Sequence, residues 1–68
     1  MTTDVFKIIE IAGQSEKSLD DAIRTALTRA SKSVHGIKWF QVAETRGHVE
    51  DGNVAQWQVV LKIGFGLD

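Results

Sequence analysis

The chain has no cysteine and no proline among its 68 residues. Without cysteine there are no disulfides and no thiolate metal sites, and two histidines, His35 and His48, are too few for a structural zinc site. Neither charge sign dominates: eight Lys and Arg face nine Asp and Glu, a formal net charge of −1. A clustered basic footprint for nucleic acid is therefore not expected. No apolar run approaches the roughly 20 residues that a membrane span needs. The segment Met1-Thr2-Thr3-Asp4 lacks the basic start and apolar core of a signal peptide. These absences lead us to expect a cytoplasmic protein without a membrane partner. A core this small rarely supplies more than about 3–5 kcal/mol. With disulfides and metals excluded, self-association is the remaining way to reinforce it.

What is present reads as a single domain over residues 1–68. Val5 to Ala12 is rich in β-branched and aromatic residues and predicts a strand, which Gly13-Gln14-Ser15 should break. Leu19, Ala22, Ile23, Ala26, Leu27, Ala30 and Val34 then recur at helical spacing as one apolar stripe. Ser18 with Asp21 resembles a capping box, with Ser15 as a rival cap. Acidic Glu16, Asp20 and Asp21 precede basic Arg29, Lys32 and His35, an order that complements the helix dipole. With Gly36 as a left-handed C-terminal cap, the helix is predicted from Ser18 to His35. Two strands follow, Ile37 to Val49 and Val54 to Leu67, joined at the turn signal Asp51-Gly52. The fold class is therefore α+β, in the order β-α-β-β. The helix carries the chain back, so a three-stranded antiparallel sheet requires the last strand to lie centrally, in the order 1-3-2.

Alternation separates the two sheet faces. In the last strand Trp57, Val59, Leu61, Ile63, Phe65 and Leu67 form the helix-facing set, opposite Gln58, Val60, Lys62, Gly64 and Gly66. In the middle strand Phe40 and Val42 are the natural core pair. That places Trp39, Gln41, Ala43 and Thr45 on the outer face, and parity puts Trp39 and Gln58 on one surface, side by side. Two readings of Trp39 stand: an interface contact with another subunit, or a stacking platform for a planar ligand. Beside such a platform, a Gln amide can read an imide-like edge with both a donor and an acceptor.

These residues carry a family resemblance. The opening VFKIIEIAG, the segment SEKSLDDAIRTALTRASKSV, the stretch IKWFQVAETRG and the closing WQVVLKIGFGL, in that order and spacing, resemble the dodecins, small flavoproteins of bacteria and archaea. The resemblance covers nearly the whole chain. It implies a sheet wrapped around one helix and a hollow homododecamer holding oxidised flavins in pairs between tryptophans of symmetry-related subunits. On that resemblance Trp39 matches the stacking tryptophan and Gln58 the glutamine at the pyrimidine edge. Arg46 matches an arginine associated with the phosphate of flavin mononucleotide (FMN), and Glu44 an acidic position near the ribityl chain. Gly66 stands where some bacterial members carry a second basic residue, which leaves riboflavin beside FMN as the ligand. Strict alternation puts Glu44 and Arg46 on the helix side; either they extend beyond the helix or a bulge shifts the register.

The resemblance implies flavin storage, buffering and photoprotective quenching without catalysis. The sequence offers no competing chemistry, because neither histidine has a Ser or Cys partner at a recognisable spacing. His35 reads as a helix-end residue and His48 as a solvated turn residue. Asp20 and Arg24 are spaced to pair on the helix. Arg29 and Lys32 form a basic ridge, either solvated or available to a second nucleotide-like ligand, and Lys62 is placed for an intersubunit ion pair. The alternative function is a purely structural assembly domain without flavin. A nucleic-acid binder stacking bases on Trp39 beside Arg46 is disfavoured by the acidic balance.

Overall fold

The computed structural model describes residues 4–67, so the first three residues of the N-terminal segment read for targeting lie outside the described residues. The element order is β1 (Phe6–Ser15), α1 (Leu19–Ala30), β2 (Ile37–Glu50) and β3 (Asn53–Gly66). The three strands form one antiparallel sheet in the order β1-β3-β2, as alternation and the helical return require. Asp51 and Gly52, at φ 52° and 79°, make the two-residue turn between β2 and β3. Two consecutive positive φ values are the signature of the type I′ hairpin turn, whose twist matches the strands it joins.

The core is small and sits where α1 crosses the sheet. Val59, Leu61 and Ile63 of β3 are fully buried beneath Ala22 and Ala26 of the helix. Ile9, Ile11, Leu19, Ile23, Leu27 and Ile37 pack around them. Phe40 and Val42, expected in this core, lie on the helix side but remain 45% and 40% exposed. The cause is placement: the helix packs over β1 and β3, which leaves the helix side of β2 largely uncovered. Leu67, read as core-facing, is also exposed.

Two boundaries differ from the sequence reading, each for a physical reason. β1 does not break at Gly13 but pairs through Ser15 with β3. A side chain at Gly13 would lie 2.6 Å from the Ala22 carbonyl oxygen and 2.7 Å from the Ala26 Cβ, so this glycine admits the helix to the sheet and ends nothing. The helix begins as expected, with Ser18 Oγ accepting from the Asp21 backbone N–H at 3.0 Å. Ser15 Oγ instead donates to the Asp21 carboxylate at 2.6 Å, pinning the strand end to the first helical turn. The helix ends at Ala30, five residues early. Ser31 turns its hydroxyl back to the Leu27 carbonyl at 2.8 Å, and Lys32 and Ser33 bond three residues back, to Arg29 and Ala30. A run of Ser, Lys, Ser, Val and His has weak helix propensity, and such tightened turns commonly close a helix. Gly36 does adopt φ 77°, yet it turns the chain into β2 and does not cap the helix. Lys32 and His35 therefore lie outside α1, and only Arg29 remains in its last turn.

The single chain is larger than its mass predicts. Its accessible surface is 5143 Å², against about 4,200 Å² for a folded monomer of 7.5 kDa. Its radius of gyration is 14.2 Å and its longest extent 55 Å, whereas a compact chain of this length has a radius near 11 Å. The helix covers one face of the sheet in part, and the excess surface lies on the strands it leaves open.

Candidate functional site

The outer face of the sheet, away from α1, collects the candidate residues. Antiparallel pairing sets Phe6, Ile8, Glu10, Ala12 and Gln14 of β1 against Gly66, Gly64, Lys62, Val60 and Gln58 of β3. On the other side of β3, Trp39 stands opposite Gly64, Glu44 opposite Val60 and Arg46 opposite Gln58. This last set is not what strict alternation gives. The register of β2 shifts between Val42 and Glu44, so Ala43 is an extra residue. One inserted residue turns every later side chain through the sheet. Glu44 and Arg46 thereby join the outer face, and Thr45, expected outside, turns toward Val59 and the helix. A second shift, between Ile37 and Trp39, lets Ile37 enter the core while Trp39 stays outside.

Trp39 lies against bare backbone. Its Cε2, Cζ2 and Nε1 atoms sit 2.2, 2.3 and 2.7 Å from where a Cβ on Gly64 would be. Gly64 is buried, whereas its outer-face neighbours Lys62 and Gly66 are exposed. The ring of Phe6 meets the indole edge-on, with centroids 6.2 Å apart and planes at 68°. Trp39 keeps 36% of its surface exposed, and Phe6 and Ile8 beside it are also open. The result is an aromatic group set against the Gly64 backbone and Phe6 and partly open to solvent.

A polar row forms the second part of the surface. Arg46 is paired with the Glu44 carboxylate and donates through Nη1 to Gln58 Oε1 at 2.8 Å. Gln58 Nε2 in turn donates to Gln14 Oε1 at 3.3 Å. The row thus crosses all three strands, and Gln14 is a member that the sequence reading missed. Only the pairing of β1 with β3 brings it in, and no spacing within one segment signals it.

The structure brings Glu44, Arg46 and Gln58 together but does not set Trp39 beside them. Position 64, under Trp39, and position 58 are six residues apart on β3, about 20 Å at ~3.3 Å per residue. Trp39 and Gln58 share a face, as parity required, without being neighbours in one chain.

The amino-acid sequence from residue 5 to residue 68 matches the dodecin family model. The chain belongs to the dodecin family. A dodecin from Thermus thermophilus is 44% identical over 64 residues, covering 94% of this chain and 93% of that protein. Two solved dodecins superpose closely. That of Streptomyces coelicolor has a TM-score of 0.92 at 44% identity, covering 100% of this chain and 97% of its own. That of Streptomyces davaonensis has 0.91 at 42% identity, covering 98% of each chain. The β-α-β-β dodecin fold with sheet order 1-3-2 is therefore shared along the whole domain.

The remaining polar residues of this dodecin-type chain are placed without building a second centre. Asp20 and Arg24, spaced to pair, make no ion pair, and the Glu44–Arg46 bridge is the one found among the described residues. Lys62 stands opposite Glu10 and Gln41 and makes no ion pair among the described residues. Arg29 borders an open groove of about 440 Å³ between β1 and the helix, with Gln14, Thr25 and Ala26. Among the described residues, no three His, Asp or Glu side chains group as a metal site, and no helix is long and apolar enough to cross a membrane.

Proposed function

We propose that this protein binds flavin, FMN or riboflavin, without catalysis, in a homododecameric shell, and that it stores, buffers and photoprotects the flavin by quenching it against Trp39. The observation that carries this reading is the Trp39 platform. A large ring lies close on the Gly64 backbone, contacts Phe6, and remains 36% exposed on the sheet face away from the helix. Offset stacking of a conjugated ring on such a face is worth about 0.5–1.5 kcal/mol beyond area burial. Dodecin membership and the excess surface of the single chain support assembly around it.

The distance between the platform and the polar row is part of the reading. About 20 Å along β3 exceeds the length of a three-ring system, so one chain does not offer Trp39 and Gln58 to the same ligand. Trp39 of one copy would stack the ring while Gln58 of another meets its pyrimidine edge, with the ribityl chain directed to Glu44 and any phosphate to Arg46. A site divided in this way exists only in the assembly, and the chain needs no general base or nucleophile for such a role.

The test is a titration of apo-protein into FMN and riboflavin with the multimer size recorded. Saturable, near-complete loss of flavin emission is expected, and Trp39→Ala is expected to abolish it while the sedimentation size stays that of the wild type. Unquenched flavin beside an intact multimer would favour a purely structural assembly, with Trp39 as an interface residue. Loss of assembly in Trp39→Ala would favour it equally.

A further inference from the structure

Gln58 has an amide whose two ends look alike in shape and differ in chemistry. On one side it meets Arg46, a guanidinium that can only donate. The oxygen of Gln58 must therefore face Arg46, as it does at 2.8 Å. The nitrogen is then turned toward β1, where the residue opposite is Gln14, whose Oε1 accepts from it at 3.3 Å. The amide is held from both sides, by a donor on β2 and an acceptor on β1. Each partner uses one valence: a lone pair on the oxygen goes to Arg46 and one N–H goes to Gln14. One lone pair and one N–H remain, in a fixed order along the sheet.

We propose that Gln14 is a specificity-determining positioning residue. With Arg46 it fixes the orientation of the Gln58 amide, so that the free donor and acceptor match an imide edge, N–H flanked by carbonyl, in one register only. This rests on the proposed reading of Gln58 as the group at the pyrimidine edge of flavin. Gln14 itself touches no ligand in this scheme. Removing its acceptor leaves the Gln58 N–H without a counterpart on the β1 side, and the amide is then held at one end only. The consequence is a loss of discrimination at the imide N–H and not a general loss of stacking, which belongs to Trp39 at the far end of the strand.

The experiment uses the assembled full-length protein and two probes without ribityl chain or phosphate: lumiflavin, and lumiflavin methylated at the imide nitrogen. Both titrations are read by flavin quenching. Wild type is expected to prefer lumiflavin by about tenfold or more, since methylation leaves polar groups of the site unpaired. In Gln14→Leu the preference is expected to fall to about twofold or less, with the sedimentation size unchanged. In Gln14→Glu, where a carboxylate still accepts from the Gln58 N–H, it is expected to return to the wild-type ratio. A wild-type ratio in Gln14→Leu overturns the positioning role while leaving the flavin reading intact. The role is equally overturned by a Gln14→Glu ratio as low as that of Gln14→Leu. Equal affinity of wild type for both probes removes Gln58 from the imide edge, and this inference goes with it. Failure of wild type to quench either probe refutes the flavin reading itself.

Discussion

Gly64→Ala is a change of one methyl group, and the structure says where that methyl would go. It would lie 2.2 Å from Cε2 and 2.3 Å from Cζ2 of Trp39, whereas carbon atoms settle at about 3.5–4.0 Å. The indole must retreat by about 1.3 Å or swing aside, because an alanine Cβ has no rotamer with which to yield. The fold should tolerate this, since Trp39 is partly exposed and outside the core. Loss of the Phe6 contact bounds the cost to stability at about 0.5–1.5 kcal/mol. Ligand stacking is lost by a similar amount, so flavin affinity is expected to fall roughly two- to twelvefold. The assay is the quenching titration at fixed protein concentration, with multimer size measured in parallel. Gly66→Ala is the control: it is on the same strand and face, and its added Cβ meets nothing within 4 Å, so it should match wild type. Wild-type affinity in Gly64→Ala, or an equal loss in Gly66→Ala, would refute the claim that the bare backbone under Trp39 shapes the site.

Three further outcomes follow from the same geometry. Gly13→Ala places a Cβ against the Ala22 carbonyl and the Ala26 methyl, and it should destabilise the protein by about 1–3 kcal/mol in denaturant unfolding; an unchanged midpoint at equal protein concentration would count against the close approach of helix and strand. Gln58→Ala should weaken flavin binding yet leave quenching at saturation complete, because stacking is unaltered; unchanged affinity would mean that Gln58 has another role. FMN should exceed riboflavin in affinity by less than about fivefold, since the Arg46 charge is already met by Glu44 in an exposed pair worth ~0–1 kcal/mol, and a far larger ratio measured in the same titration would give Arg46 a dominant phosphate contact.

Much of this architecture was legible in the sequence because periodicity reports burial. The stripe through Ala22 and Ala26 and the alternation through Val59, Leu61 and Ile63 gave the helix, the central strand and the core that joins them. Asp51-Gly52 gave the hairpin because two positive φ values admit few residues. What stayed illegible depends on the other side of a contact. Gly13 reads as a breaker until the helix that lies on it is known, and the helix end was misplaced because Val34 continues the apolar stripe while serines before it favour turns. In the site, parity carried Trp39 and Gln58 to one face correctly but gives no position along the strands, so their separation went unseen. Gln14 could not be found at all without the pairing of β1 with β3.

The extra residue at Ala43 changes the reading frame within β2. From Trp39 to Val42, odd positions look outward; from Glu44 to His48, even positions do. The chemistry of Glu44 and Arg46 is thus addressed by chain length as much as by residue identity. Deleting Ala43 would leave every charged side chain in place in the sequence and send both through the sheet to its opposite surface, whereas many substitutions at 43 itself would keep the frame. In a lineage of such chains, this strand should accept spelling changes far more readily than changes of length.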